Sequence, residues 1–284
     1  MNSSKSKPRI NWHAAIVSGL QIELAHTSDI LTYLPEFPLN EGPRRVDCLI
    51  QKIPGSPSIG SPIARFFRTY NLVDYKGPHE SMNISNFFKA LSYVCSFPDF
   101  LNQSKAVEQV TLTLITHRYP KKLFAYIRKN FMKVTKDPVE KIIDGLYYIH
   151  IGLFPVQLIV LPQLPPNRYL WLHCLTNHIT KDMPLEELGL AYKPHEDDPV
   201  YKTFMNAVIR ANSLNEGDEA SMCEALEELF ASRLEAREQK GLEEGISRLS
   251  TLIGKLLDSN RIADIKRVTE DPGYRESLFS EFHL

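Results

Sequence analysis

The sequence predicts an α/β domain followed by a helical C-terminal tail. Between residues 11 and 180, segments of alternating apolar and polar residues are interspersed with segments whose apolar residues recur every three or four positions. These two patterns are typical of strands and helices, respectively. From about Lys181 onward only the helical spacing is found. We therefore expect a mobile N-terminus over residues 1–10, an α/β domain over 11–180 and a helical region over 181–284.

The first predicted element is a helix over 11–25, because Trp12, Ile16 and Leu20 fall on one face at helical spacing. Strands are expected next, and two prolines in the first of them favour an edge position for it. A predicted loop with three prolines and two glycines in nine residues separates the second strand from the third. The predicted strands cover residues 30–39, 44–53 and 71–76, and the loop covers 54–62.

The remaining elements follow from the same periodicities. Six apolar residues between Ile84 and Cys95 form one stripe at helical spacing, and Asp144-Gly145 between two apolar runs is typical of a hairpin turn. A short strand near Trp171 completes the expected sheet. Helices are predicted over 83–97, 121–130, 184–190, 200–213, 220–239, 242–257 and 260–268, and strands over 110–119 and 156–161.

The formal net charge of −1 conceals two unlike halves of the chain. Residues 1–136 contain 18 Lys and Arg against 9 Asp and Glu, whereas residues 137–284 contain 15 against 25. A basic region beside an acidic one indicates a surface that faces a polyanion. With 43% hydrophobic and 24% charged residues, the composition excludes disordered, collagen-like and disulfide-scaffold proteins.

Cysteine usage and hydropathy favour a cytoplasmic protein without a membrane partner. The four cysteines are far apart and form no CxxC pair, so neither a structural zinc site nor a disulfide framework is indicated. No segment approaches the roughly 18–20 uninterrupted apolar residues of a membrane-spanning helix. The N-terminal residues have no apolar core typical of a secretory signal.

Two carboxylates and one lysine lie on two predicted strands. Asp47 lies in VDCLI, and Asp74 and Lys76 lie two positions apart in NLVDYK, so the latter pair shares one strand face. If the strands are neighbours, the three side chains meet at one sheet edge, where clustered carboxylates need a cation. Carboxylate oxygens favour Mg²⁺ or Mn²⁺, and a lysine beside the metal orients or deprotonates a water. The alternative is a solvated strand face, but the apolar surroundings of both strands indicate buried charges that need partners.

Glu23 offers a third carboxylate. On a helical wheel it falls near the middle of the stripe formed by Trp12, Ile16 and Leu20. A charge at that position is costly unless it reaches a cation or hydrogen-bond donors. In the alternative interpretation the helix ends before residue 23, and the carboxylate lies in water.

A third group of residues has the right chemistry for metal binding but lacks the spacing. His173, Cys174 and His178 in HCLTNH have no second cluster at metal-ligand spacing. We interpret them as structural residues.

The series Glu23, Asp47 and Asp74-x-Lys76, followed by a helix with Lys89, resembles the PD-(D/E)XK nuclease superfamily. More narrowly, the phrases PRRVDCLIQKI and RFFRTYNLVDYKGPHESMNISNFFKALSYV are similar to the recombination-promoting nuclease and transposase branch of bacteria. The resemblance implies a restriction-endonuclease-like core, in which helices flank a mixed central sheet, followed by the α-helical tail.

The resemblance covers about residues 11–100 and implies a DNA nuclease that uses Mg²⁺ or Mn²⁺ and is linked to recombination or mobile elements. It assigns metal binding to Asp47, Asp74 and Glu23, and positioning of the attacking water to Lys76. Position 74 departs from the glutamate expected in close relatives, since aspartate is shorter by one methylene.

Further expectations concern the partners. The resemblance implies a phosphate contact for Lys89, and Arg65 and Arg68 are expected to follow the phosphate backbone of DNA. The apolar faces of the C-terminal helices are expected to pack on the domain, on one another or on a second subunit in a homo-oligomer. The alternative function is a catalytically inactive module that keeps the nuclease fold for DNA binding or assembly.

Overall fold

The structure is a computed structural model, and the residues it describes are 10–39, 45–100, 108–131, 137–152, 154–180, 183–212, 245 and 247–282. The chain divides into two compact units, Met1–Cys223 and Glu224–Leu284. This division differs from the predicted boundary at residue 180, because helices beyond that residue pack within the first unit. The predicted N-terminus up to residue 9 and the predicted helix over 220–239 lie outside the described residues.

The described strands of the first unit form one mixed, seven-stranded sheet. They are β1 (Leu31–Pro38), β2 (Arg45–Lys52), β3 (Tyr70–Lys76), β4 (Val110–Thr116), β5 (Val139–Ile143), β6 (Leu146–Ile149) and β7 (Val156–Val160). The spatial order is β1-β2-β3-β4-β7-β6-β5. At the centre β3, β4 and β7 run parallel, and the pairs on either side are antiparallel. The predicted α/β class with a mixed sheet is confirmed.

Helices accompany this sheet in the first unit. They are α1 (Trp12–Glu23), α2 (Ile84–Phe100), α3 (Lys121–Phe131), α4 (Leu170–Cys174), α5 (Leu185–Tyr192) and α6 (Pro199–Asn212). The Asn11 side chain starts α1, since its oxygen accepts a hydrogen bond from the Ala14 N–H at 3.1 Å. The helix ends at Glu23, two residues before the predicted end.

One predicted strand is wrong. Trp171 lies in α4 and not in a strand, because β7 already has β4 and β6 as its two neighbours in the sheet. The indole packs instead on α6, with its ring centroid 5.0 Å from that of Tyr201 and 5.3 Å from that of Phe204.

The larger apolar core lies between α2, α3 and one face of the sheet. Leu72 of β3 and Leu114 of β4 point to this face and are fully buried against Phe87 and Phe124. Because strand residues alternate between faces, Asp74 and Lys76 share this face with Leu72. The sheet therefore places the predicted catalytic pair on the side of α2.

The opposite face of the sheet is covered by α1, which α4 and α6 hold in place. Gly19 permits the close packing of these helices. A Cβ atom at that position would lie 3.1 Å from the Leu172 side chain and 3.2 Å from the Phe204 ring. The start of α1 reaches β3, where the His13 ring lies edge-on to the Tyr75 ring at a centroid distance of 6.1 Å.

A buried polar network fixes the loop before β3. The Asn71 side chain donates to the carbonyl oxygens of Ile50 and Arg68 and accepts hydrogen bonds from the Arg68 N–H and the Thr111 hydroxyl. Gln157 donates to the carbonyl of Ile63 at 2.7 Å. Since buried polar groups need partners, the asparagine of the FRTYN phrase has a structural role.

The predicted hairpin is present between β5 and β6. Asp144 and Gly145 form the two-residue connection, and Gly145 has a φ of 75°, which the glycine adopts at little cost. A Cβ atom there would lie 2.6 Å from the Leu164 backbone nitrogen. Both the backbone angle and the space therefore require glycine at this turn.

The second unit contains three described helices, namely α7 (247–258), α8 (Ile262–Glu270) and α9 (Pro272–Glu281). Two of them agree with predicted helices, whereas α9 was not predicted. A small core of Leu252, Leu256, Val268 and Leu278 joins the three helices. Among the described residues no helix is both long and apolar enough to cross a bilayer.

Candidate functional site

The site begins where the pairing of β2 with β3 ends. The last paired residues are Cys48 and Val73, so a continued register would place Asp47 opposite Asp74. Asp47 instead accepts a hydrogen bond from the Tyr75 N–H through Oδ2, at 2.6 Å. The carboxylate thus takes the place of a main-chain acceptor at the end of the ladder. This contact places Asp47 of β2 beside Tyr75 of β3, the residue that follows Asp74.

Asp74 and Lys76 form an ion pair on the α2 face of the sheet. The Lys76 Nζ lies 2.7 Å from Asp74 Oδ2, and only 7% of the Asp74 surface is exposed. This oxygen is buried, and the ammonium does not meet it in the geometry of a directed hydrogen bond. Asp74 therefore has electrostatic compensation from Lys76 without a directed hydrogen bond to this oxygen.

Burial and pairing shift the pKa values of both members of this pair. Burial raises the pKa of Asp74, and Lys76 offsets only part of that effect. Burial lowers the pKa of Lys76, but the close ion pair with Asp74 outweighs it, so the net shift is upward. Lys76 is therefore an ammonium donor at neutral pH. Of the two predicted roles, orienting a water fits this charge state better than removing its proton.

A cluster that was not predicted surrounds Asp47. One ligand atom each of His13, Glu36 and Asp47 lies within 4.8 Å of the others. The His13 Nδ1 is 2.7 Å from Asp47 Oδ1, and the hydrogen bond with Asp47 raises the pKa of His13 above its ordinary value. Glu36 has a φ of 50°, a left-handed conformation that is uncommon outside glycine.

Neither His13 nor Glu36 belongs to a motif that sequence analysis recognises. His13 adjoins Trp12 at the start of α1, and Glu36 lies between Pro35 and Phe37, which pair with Cys48 and Val46 in β2. Their meeting depends on the packing of α1 and β1 against β2. Local spacing holds no signal for that packing.

Two further charged residues act on the site. The charge of Lys89 on α2 is among those that oppose the burial-induced rise in the pKa of Asp74. Its Nζ also lies 5.9 Å from the centroid of the Tyr93 ring. Glu80 closes the turn after β3, because its Oε2 accepts a hydrogen bond from the Gly77 N–H at 3.0 Å. Lys89 is therefore near enough to Asp74 for its charge to act on that carboxylate.

Glu23 meets hydrogen-bond donors, which is one of the environments predicted for its place on the apolar stripe of α1. Its Oε1 accepts hydrogen bonds from the Trp171 N–H at 2.8 Å and the Leu172 N–H at 3.2 Å. These are free donors in the first turn of α4, so Glu23 caps a helix that is remote in sequence. Burial raises its pKa to about 7, and the two backbone hydrogen bonds oppose that shift. Glu23 is not part of the cluster at Asp47.

The structure also separates Arg68 from the candidate site. Arg68 precedes β3, whereas Lys76 ends it, and a strand of this length spans about 20 Å. The Arg68 Nη1 donates to the Glu108 carbonyl at 2.6 Å. This contact places the guanidinium at the amino ends of β3 and β4.

Arg65 lies at the same edge as Arg68. Burial raises the pKa of Tyr148, and the nearby Arg65 charge partly offsets the shift. Tyr148 pairs with Gln157 near the beginning of β7. Neither arginine is therefore brought together with Asp74 and Lys76.

The donors around Asp47 are of types that bind divalent cations, but Asp74 is not in the group of described residues whose ligand atoms lie within 4.8 Å of one another. Asp47 and Asp74 supply carboxylate oxygens, which Mg²⁺ and Mn²⁺ prefer, and Asp74 Oδ2 is buried without a directed hydrogen bond. The imidazole of His13 adds a ligand type more suited to a transition metal than to Mg²⁺. Both oxygens of Asp47 already contact protein groups, His13 and the Tyr75 N–H, so a cation would compete with them.

Comparison with family models, curated proteins and solved structures finds no match for this chain.

Proposed function

We propose that this chain is a metal-dependent nuclease with a restriction-endonuclease-like core, and that it hydrolyses phosphodiester bonds in DNA. The observation that supports the proposal best is the placement of Asp47 beside the end of β3, where Asp74 pairs with Lys76. Two carboxylates that flank one strand end can hold a divalent cation. The sequence resemblance supports the same assignment and suggests a role in recombination or mobile elements.

Each protein group has a defined part in this reaction. A bound cation would lower the pKa of a water and stabilise negative charge on the phosphoryl oxygens. Asp47 and Asp74 would hold it, and the Tyr75 N–H and Lys76 keep these carboxylates oriented. Lys76 donates a hydrogen bond to the attacking water. Lys89 neutralises a non-bridging phosphate oxygen, since a lysine interacts with phosphate as a point charge.

Cleavage assays with purified protein test the proposal directly. Wild type should cleave single- or double-stranded DNA in Mg²⁺ or Mn²⁺, and Asp74→Ala or Lys76→Ala should lower the rate at least about a hundredfold. Lys141 and Asp144 are matched controls, because they form an exposed ion pair at the β5–β6 turn. Lys141→Ala and Asp144→Ala should cleave DNA at the wild-type rate.

The inactive module is the second candidate, and the contacts of Asp47 favour it. Since an ion pair with His13 and a hydrogen bond from the Tyr75 N–H already engage both carboxylate oxygens, the fold does not need a cation at this point. Wild-type protein that leaves DNA intact in both metals would reject the nuclease. Calorimetric titration with Mn²⁺ separates the two candidates, because an inactive module should release no heat that depends on Asp47 and Asp74.

A further inference from the structure

A pocket rich in histidine opens at the carboxyl ends of the three central parallel strands. Its volume is about 450 Å³, within the range of small-ligand sites. Residues that follow β3, β4 and β7 form its walls, and α4 with the segment after it forms the remainder. We call it the histidine pocket, and its lining is Pro78, His79, His117, Arg118, Pro162, His173, Thr176, Asn177, His178, Thr180 and Met183.

Every titratable side chain among the described residues that line the pocket is basic. They are one arginine and four histidines, and within the described part of the chain no carboxylate pairs with the Arg118 guanidinium. This chemistry attracts an anion with several oxygen acceptors, as a phosphate group has.

Hydrogen bonds hold two of the histidine rings of the pocket in place. The Tyr75 hydroxyl lies 2.7 Å from His117 Nε2. Burial, followed by the charges of Arg118 and His79, lowers the pKa of His117 to about 4, so this ring is neutral at pH 7. His173 Nδ1 donates to the Leu164 carbonyl at 2.7 Å, which leaves Nε2 as its second polar atom.

A metal is a poorer occupant than an anion. Among the described residues, the group whose ligand atoms approach closely enough for one ion is His13, Glu36 and Asp47. The imidazoles of the histidine pocket are not part of that group. The guanidinium of Arg118 would also repel a cation at this position.

Tyr75 connects the histidine pocket to the candidate active site. Its main-chain N–H donates to Asp47 at 2.6 Å, and its hydroxyl contacts His117 at 2.7 Å. The two sites are therefore separated by about one tyrosine side chain. A nucleic-acid strand carries closely spaced phosphates, so one strand is able to contact both sites.

We propose that the histidine pocket binds a phosphate group of the nucleic-acid substrate, with Arg118 as the main charged contact. That the anion is a phosphate of nucleic acid rests on the proposed nuclease function, whereas the preference for an anion follows from the basic lining of the pocket. The group bound is either a terminal phosphate or a backbone phosphate next to the cleaved bond. Both present the same oxygen acceptors.

Fluorescence anisotropy with full-length protein in EDTA tests the pocket without cleavage. The probes are short single-stranded oligonucleotides with a 5′-phosphate, a 3′-phosphate or hydroxyl groups at both ends, each with an internal dye. Arg118→Ala should bind at least one probe about tenfold more weakly than wild type, as expected for a lost charge-assisted contact. Arg128→Ala is the matched control, because the Arg128 guanidinium already pairs with Asp137.

The pattern across the probes identifies the phosphate. If wild type prefers one phosphorylated end and Arg118→Ala loses that preference, the pocket binds a terminal phosphate. If Arg118→Ala loses the same affinity for all probes, the pocket binds a backbone phosphate. Arg118→Lys, which retains the charge, should recover part of the affinity. Equal binding by Arg118→Ala and Arg128→Ala on every probe would overturn the proposal. Because no metal is present, this result is independent of whether wild type cleaves DNA.

Discussion

Asp47 and Glu23 show how similar carboxylates come to lie in different environments through the hydrogen bonds that they accept. Both accept backbone N–H groups, but Asp47 does so beside Asp74 at the end of a strand ladder. Glu23 does so at the first turn of α4, where the free N–H groups and the helix dipole favour a negative charge. Burial nevertheless raises the pKa of Glu23 to about 7. The local sequence around each residue is apolar and does not distinguish the two roles.

Glu23→Gln should change how the stability of the first unit depends on pH. A folded-state pKa of about 7 lies above the ordinary value of 4.5, so wild type loses stability as pH rises through this interval. Glutamine keeps the acceptor without the charge. Relative to wild type, the variant should gain up to about 3 kcal/mol in free energy of unfolding between these pH values. The free energy of unfolding is measured in urea, with tryptophan fluorescence as the signal, since both Trp12 and Trp171 lie in this unit.

His117→Gln is the opposing control for that measurement. Burial lowers the pKa of His117 from 6.5 to about 4, so wild type loses stability as pH falls through this interval. The glutamine variant should therefore gain stability relative to wild type toward low pH, the reverse of Glu23→Gln. Parallel stability curves for wild type and both variants would contradict both pKa shifts.

At the scale of single elements, the β5–β6 hairpin is the clearest case in which a short sequence signal and the surrounding structure agree. Asp144-Gly145 forms the connection, and Gly145 has a positive φ. The same glycine packs against backbone atoms of the turn after β7. The hairpin therefore depends on glycine for its backbone angle and for its packing.

Gly145→Ala should destabilise the first unit more than Gly55→Ala. Both glycines have a positive φ, 75° and 79° respectively, so alanine costs about 1–2 kcal/mol at each position. At Gly55 a Cβ atom meets nothing within 4 Å, whereas at Gly145 it lies 2.6 Å from the Leu164 nitrogen. The overlap should cost about 1–3 kcal/mol more. Equal losses in urea unfolding would show that the turn moves aside without cost.

At the scale of the whole molecule, charge is distributed unevenly along the chain. The basic half contains Asp47, Asp74, Lys76 and Arg118, and the acidic half has a net charge of −10 from 15 Lys and Arg against 25 Asp and Glu. The predicted helical tail is also not one structural piece. Since α5 and α6 belong to the first unit, a truncation near Lys181 would remove helices on which α1 packs. A test of the acidic region therefore needs substitutions in the full chain.

Neutralising an acidic segment should strengthen DNA binding. The residues to replace by Gln or Asn are Glu216, Asp218, Glu219, Glu224, Glu227 and Glu228. They lie outside the described residues, so the prediction rests on their charge alone. We expect an increase of about tenfold in affinity for random-sequence DNA at low salt, and a smaller increase as salt screens the charges. Unchanged affinity at low salt would show that this segment does not restrain DNA binding.

Local sequence patterns predicted the order of strands and helices along the chain as far as β7. They also predicted that Asp74 and Lys76 share one strand face. The period-two pattern of NLVDYK places Asp74 and Lys76 on one strand face because side-chain direction depends on local backbone geometry. The same local rule accounts for α2, for the β5–β6 hairpin and for two of the three helices of the second unit. These features need contacts only among residues a few positions apart.

Only the tertiary structure shows which side chains lie near Asp47 and Asp74 and which do not. Glu23 meets Trp171 across 148 residues of sequence, His13 and Glu36 reach Asp47 from different elements, and Arg68 lies at the opposite edge of the sheet. Each of these placements depends on which strands pair and which helix faces pack. Local spacing contains no information about those choices, because the free energy that decides them comes from burial between distant segments.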